Sequence, residues 1–449
     1  MAKISNPPKA QPGRGTAASK LFMVLISLFL AVTILKFGNP AIFEDLSTAP
    51  QNLLEAIFQP WPLSWGYFGI AVLGLLALKV GRVQFQRDWP TAFGWLLPLI
   101  WLTWQFVSAT QTVDLNLTRS TLKHFTACVA CFYLGWFCLG QMKSVRPVFL
   151  AALISFVFVL IVGWQQHFGG LEETRRFFYS QPNWRDFPAE FLKKVSSTRI
   201  YSTLFYPNTL SAAILLFFPI SVATLWSFGS RFTLAARCFL IALLSVGAVG
   251  CLVWSGSKSG WLLALLLGFI SLLQLPFSPA TRKGLICGLL IVGLGGFGLK
   301  YAKFFERGAT SVVARFDYWR AALTIFQSHP VVGTGPGTFY IPYQKIKAPE
   351  SEMARLCHND YLEQAADSGL VGFLSFTTFM LGSVGYFCRP KAAAPNDFRF
   401  AIWLGLLGVA LHGLVEFNLY IPAIAWPSFL FLGWLWAQRN RIDNKPSAS

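Results

Sequence analysis

Apolar stretches long enough to cross a lipid bilayer recur along almost the whole chain. A soluble protein of 449 residues could not bury so many helices that are apolar on every side. Charged residues make up 12% of the chain, against about 25% in soluble domains. The sequence therefore predicts an all-α polytopic membrane protein with about twelve transmembrane helices in a single domain, residues 21–437. The predicted spans lie near residues 21–36, 62–80, 90–109, 121–140, 146–166, 205–226, 234–254, 259–277, 284–300, 369–388, 400–416 and 420–437.

Lysine and arginine are concentrated in the short loops that share a side with the N-terminal tail. Because cytoplasmic loops of membrane proteins carry an excess of these residues, both termini are predicted to be cytoplasmic. The tails are residues 1–20, which we expect to be disordered, and residues 438–449. The net charge of +18 is explained by this bias, and no zinc-finger spacing or isolated basic domain indicates nucleic-acid binding. The basic residues of these short loops are Lys79, Arg82, Arg87, Lys143, Arg146, Arg231, Arg237, Arg282, Lys283, Arg389, Lys391 and Arg399.

Two loops are long, and this orientation places both on the outer side of the membrane. The first covers residues 167–204, and the second, residues 301–368, follows the ninth span and is predicted to be a catalytic loop. Within the second loop, the spacing of four apolar residues predicts an amphipathic helix on the membrane surface or against the bundle. After Pro330 the sequence GTGPGT predicts an irregular turn, interpreted as a flexible hinge, and a second short helix is predicted to begin near Leu356. The apolar residues of the first helix are Phe316, Trp319, Leu323 and Phe326.

The strongest candidate for acid–base chemistry is His358 in the large outer loop. An imidazole titrates near neutral pH, so His358 could act as a general base or as a hydrogen-bonding group at the membrane surface. On the predicted helix it shares a face with Tyr361, which is a supporting candidate. An ordinary loop histidine is the alternative interpretation.

Three cations on the outer side are candidates for binding a diphosphate. Arg199 precedes a span with the polar, proline-broken start YSTLFYPNTLSA, Arg315 lies on the predicted amphipathic helix, and Lys258 lies in the short turn WSGSKSGW. Guanidinium groups match phosphate oxygens without needing a metal, and an ammonium at the hydrocarbon edge is costly unless it meets an anion or water. The alternatives are anchoring to lipid headgroups, pairing with outer carboxylates, and snorkelling of the lysine. No HExxH or acidic metal cluster occurs, so we expect no required metal and no cofactor.

His412 and Glu416 form a second supporting pair near the outer end of the eleventh span. Their spacing of four residues places them on one helix face. Ionisable residues within a membrane segment indicate a functional site by default. A mutual hydrogen bond that fixes helix packing is an equally good interpretation.

The segment WRAALTIFQSHPVVGTGPGTF, followed after a gap by CHNDYLEQAADSGLVGF, resembles the O-antigen ligase/polymerase superfamily of bacterial envelope proteins. The resemblance covers residues 200–375, and the order of features agrees: Arg199 before YPNTLSA, then SGSKSG, then the long loop. The later LHGLVEFNLYIP is similar to the closing segment of that family. Twelve spans with an outer loop after the ninth suit the ligase branch.

This resemblance implies a metal-independent glycosyl transfer on the outer face of the bacterial inner membrane. The donor would be a glycan on undecaprenyl diphosphate, and the acceptor hydroxyl would belong to a lipid A-core sugar in ligases, a second lipid-linked glycan in polymerases, or a protein in the related oligosaccharyltransferases. By position, His358 would be the base, while Arg199 and Lys258 would contact the diphosphate. Where the family commonly carries arginine this chain has Lys258, which keeps the charge but loses the bidentate geometry.

A lipid-linked sugar transporter is the alternative from a different class of function. Transporters of that kind place ionisable residues at mid-membrane and show repeated halves. Here no internal repeat is found, and the polar groups gather on one side of the spans. Both observations favour an enzyme that is embedded in membrane lipids and uses a lipid-linked glycan as its donor.

Overall fold

The structure is a computed structural model that describes residues 17–81, 89–180, 182, 184–186, 192, 195–388 and 398–443. These residues form helices, turns and connecting segments, and none of them forms a β-strand. Most of the predicted tails, residues 1–16 and 444–449, lie outside the described residues. Residues 17–20, predicted to belong to the disordered tail, are the first turn of a helix. The predicted loop cations Arg82, Arg87, Arg389 and Lys391 also lie outside the described residues.

Nine helices in the described part of the chain are long and apolar enough to cross a membrane. They confirm a multi-pass, all-helical membrane protein. We number the main helices in chain order as α1 (Ala17–Lys36), α2 (Leu63–Val80), α3 (Trp89–Ala109), α4 (Leu115–Gln141), α5 (Arg146–Tyr179), α6 (Pro207–Trp226), α7 (Leu234–Ser255), α8 (Lys258–Gln274), α9 (Pro279–Glu306), α10 (Thr310–Ser328), α11 (Tyr340–Ile346), α12 (Asp360–Phe387), α13 (Phe398–His412) and α14 (Pro422–Asp443).

Helices lie at all twelve predicted spans, but three of them fall outside the group of nine. Helices α8 and α13 are apolar yet have 17 and 15 residues, respectively. Helix α14 has 22 residues and ends in the polar sequence Gln438 to Asp443. The count of twelve spans and the cytoplasmic position of both termini therefore stay predictions.

Helix α14 runs through the centre of the bundle and is buried over most of its apolar length. Helices α14 and α4 approach each other closely because each has a glycine at the contact, Gly433 in α14 and Gly135 in α4. A Cβ atom at Gly433 would lie 1.9 Å from the carbonyl oxygen of Phe132, and one at Gly135 would lie 2.1 Å from that of Leu430. Small residues at such crossings allow two helix backbones to approach within the membrane. This packing fixes the start of α14, next to which the candidate site lies.

The helix predicted in the second long loop is confirmed as α10, but its predicted apolar stripe is divided. Trp319 is partly buried and donates its Nε1–H to the carbonyl oxygen of His358 over 3.3 Å, whereas two other members are exposed. Phe316 and Leu323 are 53% and 45% exposed. The buried face is formed instead by Tyr318, Ala321, Ala322 and Ile325. Tyr318 decides this orientation because its ring packs against Tyr343 of α11 and stacks on His358. Contact of the exposed stripe with the membrane surface stays a prediction.

The helix that was predicted to begin near Leu356 begins at Asp360 instead, and a short helix that was not predicted, α11, precedes it in the loop. Asn359 caps it, since its side chain accepts hydrogen bonds from the backbone N–H groups of Tyr361 and Leu362. His358 therefore lies before the helix, in the left-handed region with φ +54°. The prediction that His358 and Tyr361 share one helix face is wrong.

The glycine turn between α10 and α11 is a buried, packed element rather than an exposed hinge. Gly337 N–H donates to the carboxylate of Asp367 over 2.7 Å, and Gly335 N–H donates to the backbone carbonyl of Asp367 over 2.9 Å. Positive φ angles at Gly333, Gly335 and Gly337 let the turn follow the first part of α12. The turn thereby holds the start of α12, and with it the position of His358.

Candidate functional site

A single buried carboxylate, that of Glu416, lies at the centre of the candidate site. Its Oε2 accepts a hydrogen bond from Nδ1 of His358 over 3.0 Å. Its Oε1 accepts from the guanidinium of Arg315 and from the side-chain amide of Asn208. Burial acts to raise the pKa of Glu416, but His358 and Arg315 outweigh it and hold that pKa well below its usual range. Glu416 is therefore an anion bound by three donors.

His358 is held so that one ring nitrogen is bound and the other is available. Because a carboxylate only accepts, Nδ1 must carry the proton shared with Glu416. The lone pair then lies on Nε2, which has no hydrogen-bond partner among the described residues. Phe417 contacts the imidazole edge-on at 4.7 Å between centroids, and the ring of Tyr318 stacks on it at 5.7 Å. The His358 side chain is 27% exposed.

The turn that carries Glu416 is bound to the start of α12, directly after His358. Backbone N–H of Asp360 donates to the carbonyl oxygen of Gly413 over 2.8 Å. Both carboxylate oxygens of Asp360 accept from backbone N–H of Leu419, each at 3.1 Å. These bonds join residues 413–419 to the HNDYL segment, so that the imidazole and the carboxylate keep their relative position.

Arg199 reaches the same site from the first of the two long loops. Its Nε donates to the carbonyl oxygen of Ser255 over 2.6 Å, and its Nη2 donates to Oδ1 of Asn208 over 2.7 Å. Burial lowers the pKa of Arg199, whereas the charge of Glu416 acts to raise it. Arg199 and Glu416 are thus close enough to interact, yet Asn208 stands between them.

Gly256 gives the backbone room for this arginine, and its replacement by alanine should disturb the site. Gly256 has φ +63°, and a Cβ atom there would lie 3.1 Å from Nε of Arg199. We expect G256A to lose about 1 kcal/mol of stability from backbone strain and also to lose glycan transfer, because Arg199 must shift. The matched control is G229A, where φ is +52° and no atom lies within 4 Å of the added Cβ. Thermal unfolding in detergent and a transfer assay separate the two effects, and equal transfer by both variants would contradict this role of Gly256.

Arg315 binds the turn after α13 through two of its nitrogens, Nε and Nη2. Its Nε donates to the carbonyl oxygen of Val415 over 2.9 Å, and its Nη1 donates to that of Ser311 over 2.9 Å. With Nη2 on Glu416, the guanidinium fastens α10 to the turn. Arg315 therefore holds the site together, and its predicted contact with a diphosphate stays a prediction.

Lys258 lies against two aromatic rings of α9 at the first residue of α8. Its Nζ is 3.7 Å from the ring centroid of Phe304 and 5.1 Å from that of Tyr301. An aromatic face stabilises an ammonium group by cation–π attraction. Lys258 is also near enough to Arg199 and Arg315 to experience their charges. The three predicted cations thus converge on one region.

The other two supporting candidates, Tyr361 and His412, make their hydrogen bonds to groups other than Glu416 and His358. Tyr361 is 4% exposed and donates its hydroxyl to the carbonyl oxygen of Ala410, so it packs helices together. His412 is fully buried and interacts with Ser211 and Asn418. The mutual hydrogen bond of His412 and Glu416, which was the alternative interpretation of this pair, is not formed, because α13 ends at His412 and Glu416 lies in the turn beyond it. Only Glu416 of that pair joins the site.

Asn208, Phe417 and Tyr318 were not recognised as site residues from the sequence. Asn208 stands in the polar YSTLFYPNTLSA segment nine residues after Arg199, which was the available signal. The aromatic rings gave no signal, since phenylalanine and tyrosine are common throughout the chain. Their role depends on contacts between distant segments.

Residues 240–377 match the family described as O-Antigen ligase. The matched region contains Lys258, Arg315 and His358, while Arg199 and Glu416 lie outside it. The chain is also 26% identical over 181 residues to an uncharacterized protein of Haemophilus influenzae. That alignment covers 35% of this chain and 45% of the relative, so the chain matches less than half the length of that protein.

Proposed function

We propose, from the match of residues 240–377 to the O-antigen ligase family, that this chain is a membrane glycosyltransferase that uses a lipid-diphosphate donor. The donor is a glycan on undecaprenyl diphosphate, and the acceptor is a hydroxyl group of a lipid A-core sugar. The reaction takes place on the periplasmic face of the bacterial inner membrane. The observation that carries this proposal is the hydrogen bond between His358 and Glu416, a carboxylate that also binds Arg315 directly and Arg199 through Asn208.

In the proposed reaction, His358 acts as the general base. Its Nε2 takes the proton of the acceptor hydroxyl while the hydroxyl oxygen forms a bond to the anomeric carbon of the donor sugar. The bond from that carbon to the diphosphate oxygen breaks, and the lipid diphosphate departs with the electron pair. Glu416 keeps the Nδ1–H tautomer and stabilises the imidazolium that forms, as carboxylates do in catalytic triads.

The charges of the site suit a departing diphosphate. Glu416 is hydrogen-bonded to Arg315 directly and to Arg199 through Asn208, and Lys258 contributes a third cationic side chain beside the rings of Tyr301 and Phe304. Preorganised cations next to developing negative charge lower the barrier of such a step. Arg199 and Lys258 are the proposed diphosphate contacts, because Arg315 is bound to Glu416 and two backbone carbonyls.

Lys258 offers a direct test of this assignment. We expect K258A to reduce transfer by about tenfold to a hundredfold, since a charged hydrogen bond contributes about 1.5–3 kcal/mol. K258R should retain most activity because the positive charge remains. The matched control is K300A, an exposed lysine near the end of α9. The measurement is initial transfer rate against donor concentration, and parent-like behaviour of K258A would remove Lys258 from the diphosphate site.

Deleting the gene in its host and analysing the surface glycans tests the function itself. A ligase predicts a bare lipid A core, with polymeric glycan accumulating on the lipid carrier. Single repeats on the cell surface would favour a polymerase, and loss of glycan from a surface protein would favour a protein O-oligosaccharyltransferase. Repeat units trapped on the cytoplasmic face of the membrane would instead favour the lipid-linked sugar transporter and overturn the enzyme.

A further inference from the structure

Asn208 occupies a position between two opposite charges that would otherwise pair with each other. Its Oδ1 accepts from Nη2 of Arg199 over 2.7 Å, and its Nδ2 donates to Oε1 of Glu416. The carboxylate of Glu416 and the guanidinium of Arg199 are close enough to attract each other, with the amide of Asn208 between them. Among the described residues, the hydrogen-bonded connection between these two charged groups runs through the amide of Asn208.

We propose that Asn208 is a positioning residue that acts as a neutral spacer, keeping the charge of Arg199 available for an anionic diphosphate. This inference rests on the proposed function, because it assigns Arg199 to that ligand. A direct ion pair with Glu416 would neutralise Arg199 and would occupy the carboxylate that holds His358. The spacer thus keeps Arg199 available for the donor diphosphate and Glu416 available for His358.

The chemistry of the amide explains why this position suits asparagine. An amide presents an acceptor to a cation and a donor to an anion at the same time. An aspartate of the same shape would still accept from Arg199, but it would neutralise the guanidinium and repel Glu416. An alanine would leave a gap across which Arg199 and Glu416 could approach each other. Replacement of Asn208 by alanine and its replacement by aspartate are therefore expected to affect Arg199 in different ways.

The two hydrogen bonds of the Arg199 guanidinium also fix its orientation. The Ser255 carbonyl and the amide oxygen of Asn208 bind Nε and Nη2, which leaves Nη1 without a hydrogen-bond partner among the described residues. An arginine held at two nitrogens and open at the third presents a fixed donor to a phosphate oxygen. Without Asn208, Arg199 would lose this fixed orientation, and Glu416 would neutralise its charge.

The test measures binding rather than transfer, with farnesyl diphosphate as the probe and the full-length protein in detergent. We expect N208D to weaken binding about tenfold or more, as expected when a charged hydrogen-bonding group is neutralised. The matched control N116D adds the same charge at an exposed asparagine near the start of α4 and should bind within twofold of the parent. Binding by N208D equal to that of the parent would overturn the spacer role.

A second pair of variants keeps the inference testable if N208D folds poorly. N208A should weaken binding because Arg199 pairs with Glu416, and adding E416Q to N208A should restore most of the lost affinity by releasing Arg199. A purely structural role of Asn208 predicts no such recovery, and its absence would contradict the spacer. If the parent protein itself fails to bind farnesyl diphosphate while remaining folded, the diphosphate site of the proposed function is overturned as well.

Discussion

Replacing His358 with asparagine should abolish glycan transfer while leaving the protein folded and inserted in the membrane. Asparagine tolerates the left-handed backbone at φ +54°, and its amide can still donate to Glu416. It has no lone pair that could take a proton at neutral pH. Since general-base catalysis contributes about a hundredfold to ten-thousandfold, we expect a loss of that size in the transfer rate. The rate is measured with purified donor and acceptor lipids.

The control for this prediction is H329A, because His329 is an exposed histidine of the same outer loop. A second variant, H358G, also suits the backbone, and added imidazole should restore part of its activity if a missing base is the cause. Thermal unfolding in detergent should show only small changes for H358N, because the histidine side chain is partly exposed. Transfer by H358N at the parental rate would remove His358 from the mechanism.

Much of the fold could be predicted because bilayer-crossing helices depend on local composition. A run of about twenty apolar residues is visible in the sequence whatever its neighbours are. The orientation of α10 could not be found in this way. Its apolar stripe at Phe316 and Leu323 is as regular as that of a buried helix, yet Tyr318 makes the inward contacts. In a membrane protein, an apolar side chain can face lipid as readily as protein, so periodicity does not identify the buried face.

The site was predictable in its charged members but not in their connections. His358, Arg199, Lys258 and Glu416 stand out because ionisable groups are rare in a chain of this composition. The links between them join residues far apart in sequence, such as the pair His358 and Glu416, 58 positions apart. The start of α12 was placed too early because the capping role of Asn359 was not recognised. That error produced the mistaken grouping of His358 with Tyr361.

Replacing Glu416 with glutamine should reduce transfer about as strongly as replacing His358, although the side chain keeps its shape. The amide oxygen can still accept from Arg315, but the amide nitrogen would face Nδ1 of His358. The imidazole would then carry its proton on Nε2 and could not act as a base there. The equivalent change in a catalytic triad lowers the rate about ten-thousandfold through the wrong tautomer. Initial transfer rates of E416Q and the parent, at saturating donor, provide the measurement.

Two further variants separate this tautomer effect from the structural role of the carboxylate. E416A should also lower stability, by about 3 kcal/mol, because breaking a buried ion pair leaves Arg315 without its anionic partner. The double variant H358N/E416Q should transfer no more slowly than either single variant, since residues that act as one unit give non-additive losses. If the losses multiplied instead, His358 and Glu416 would act independently, and the shared hydrogen bond would not be the element that prepares the base.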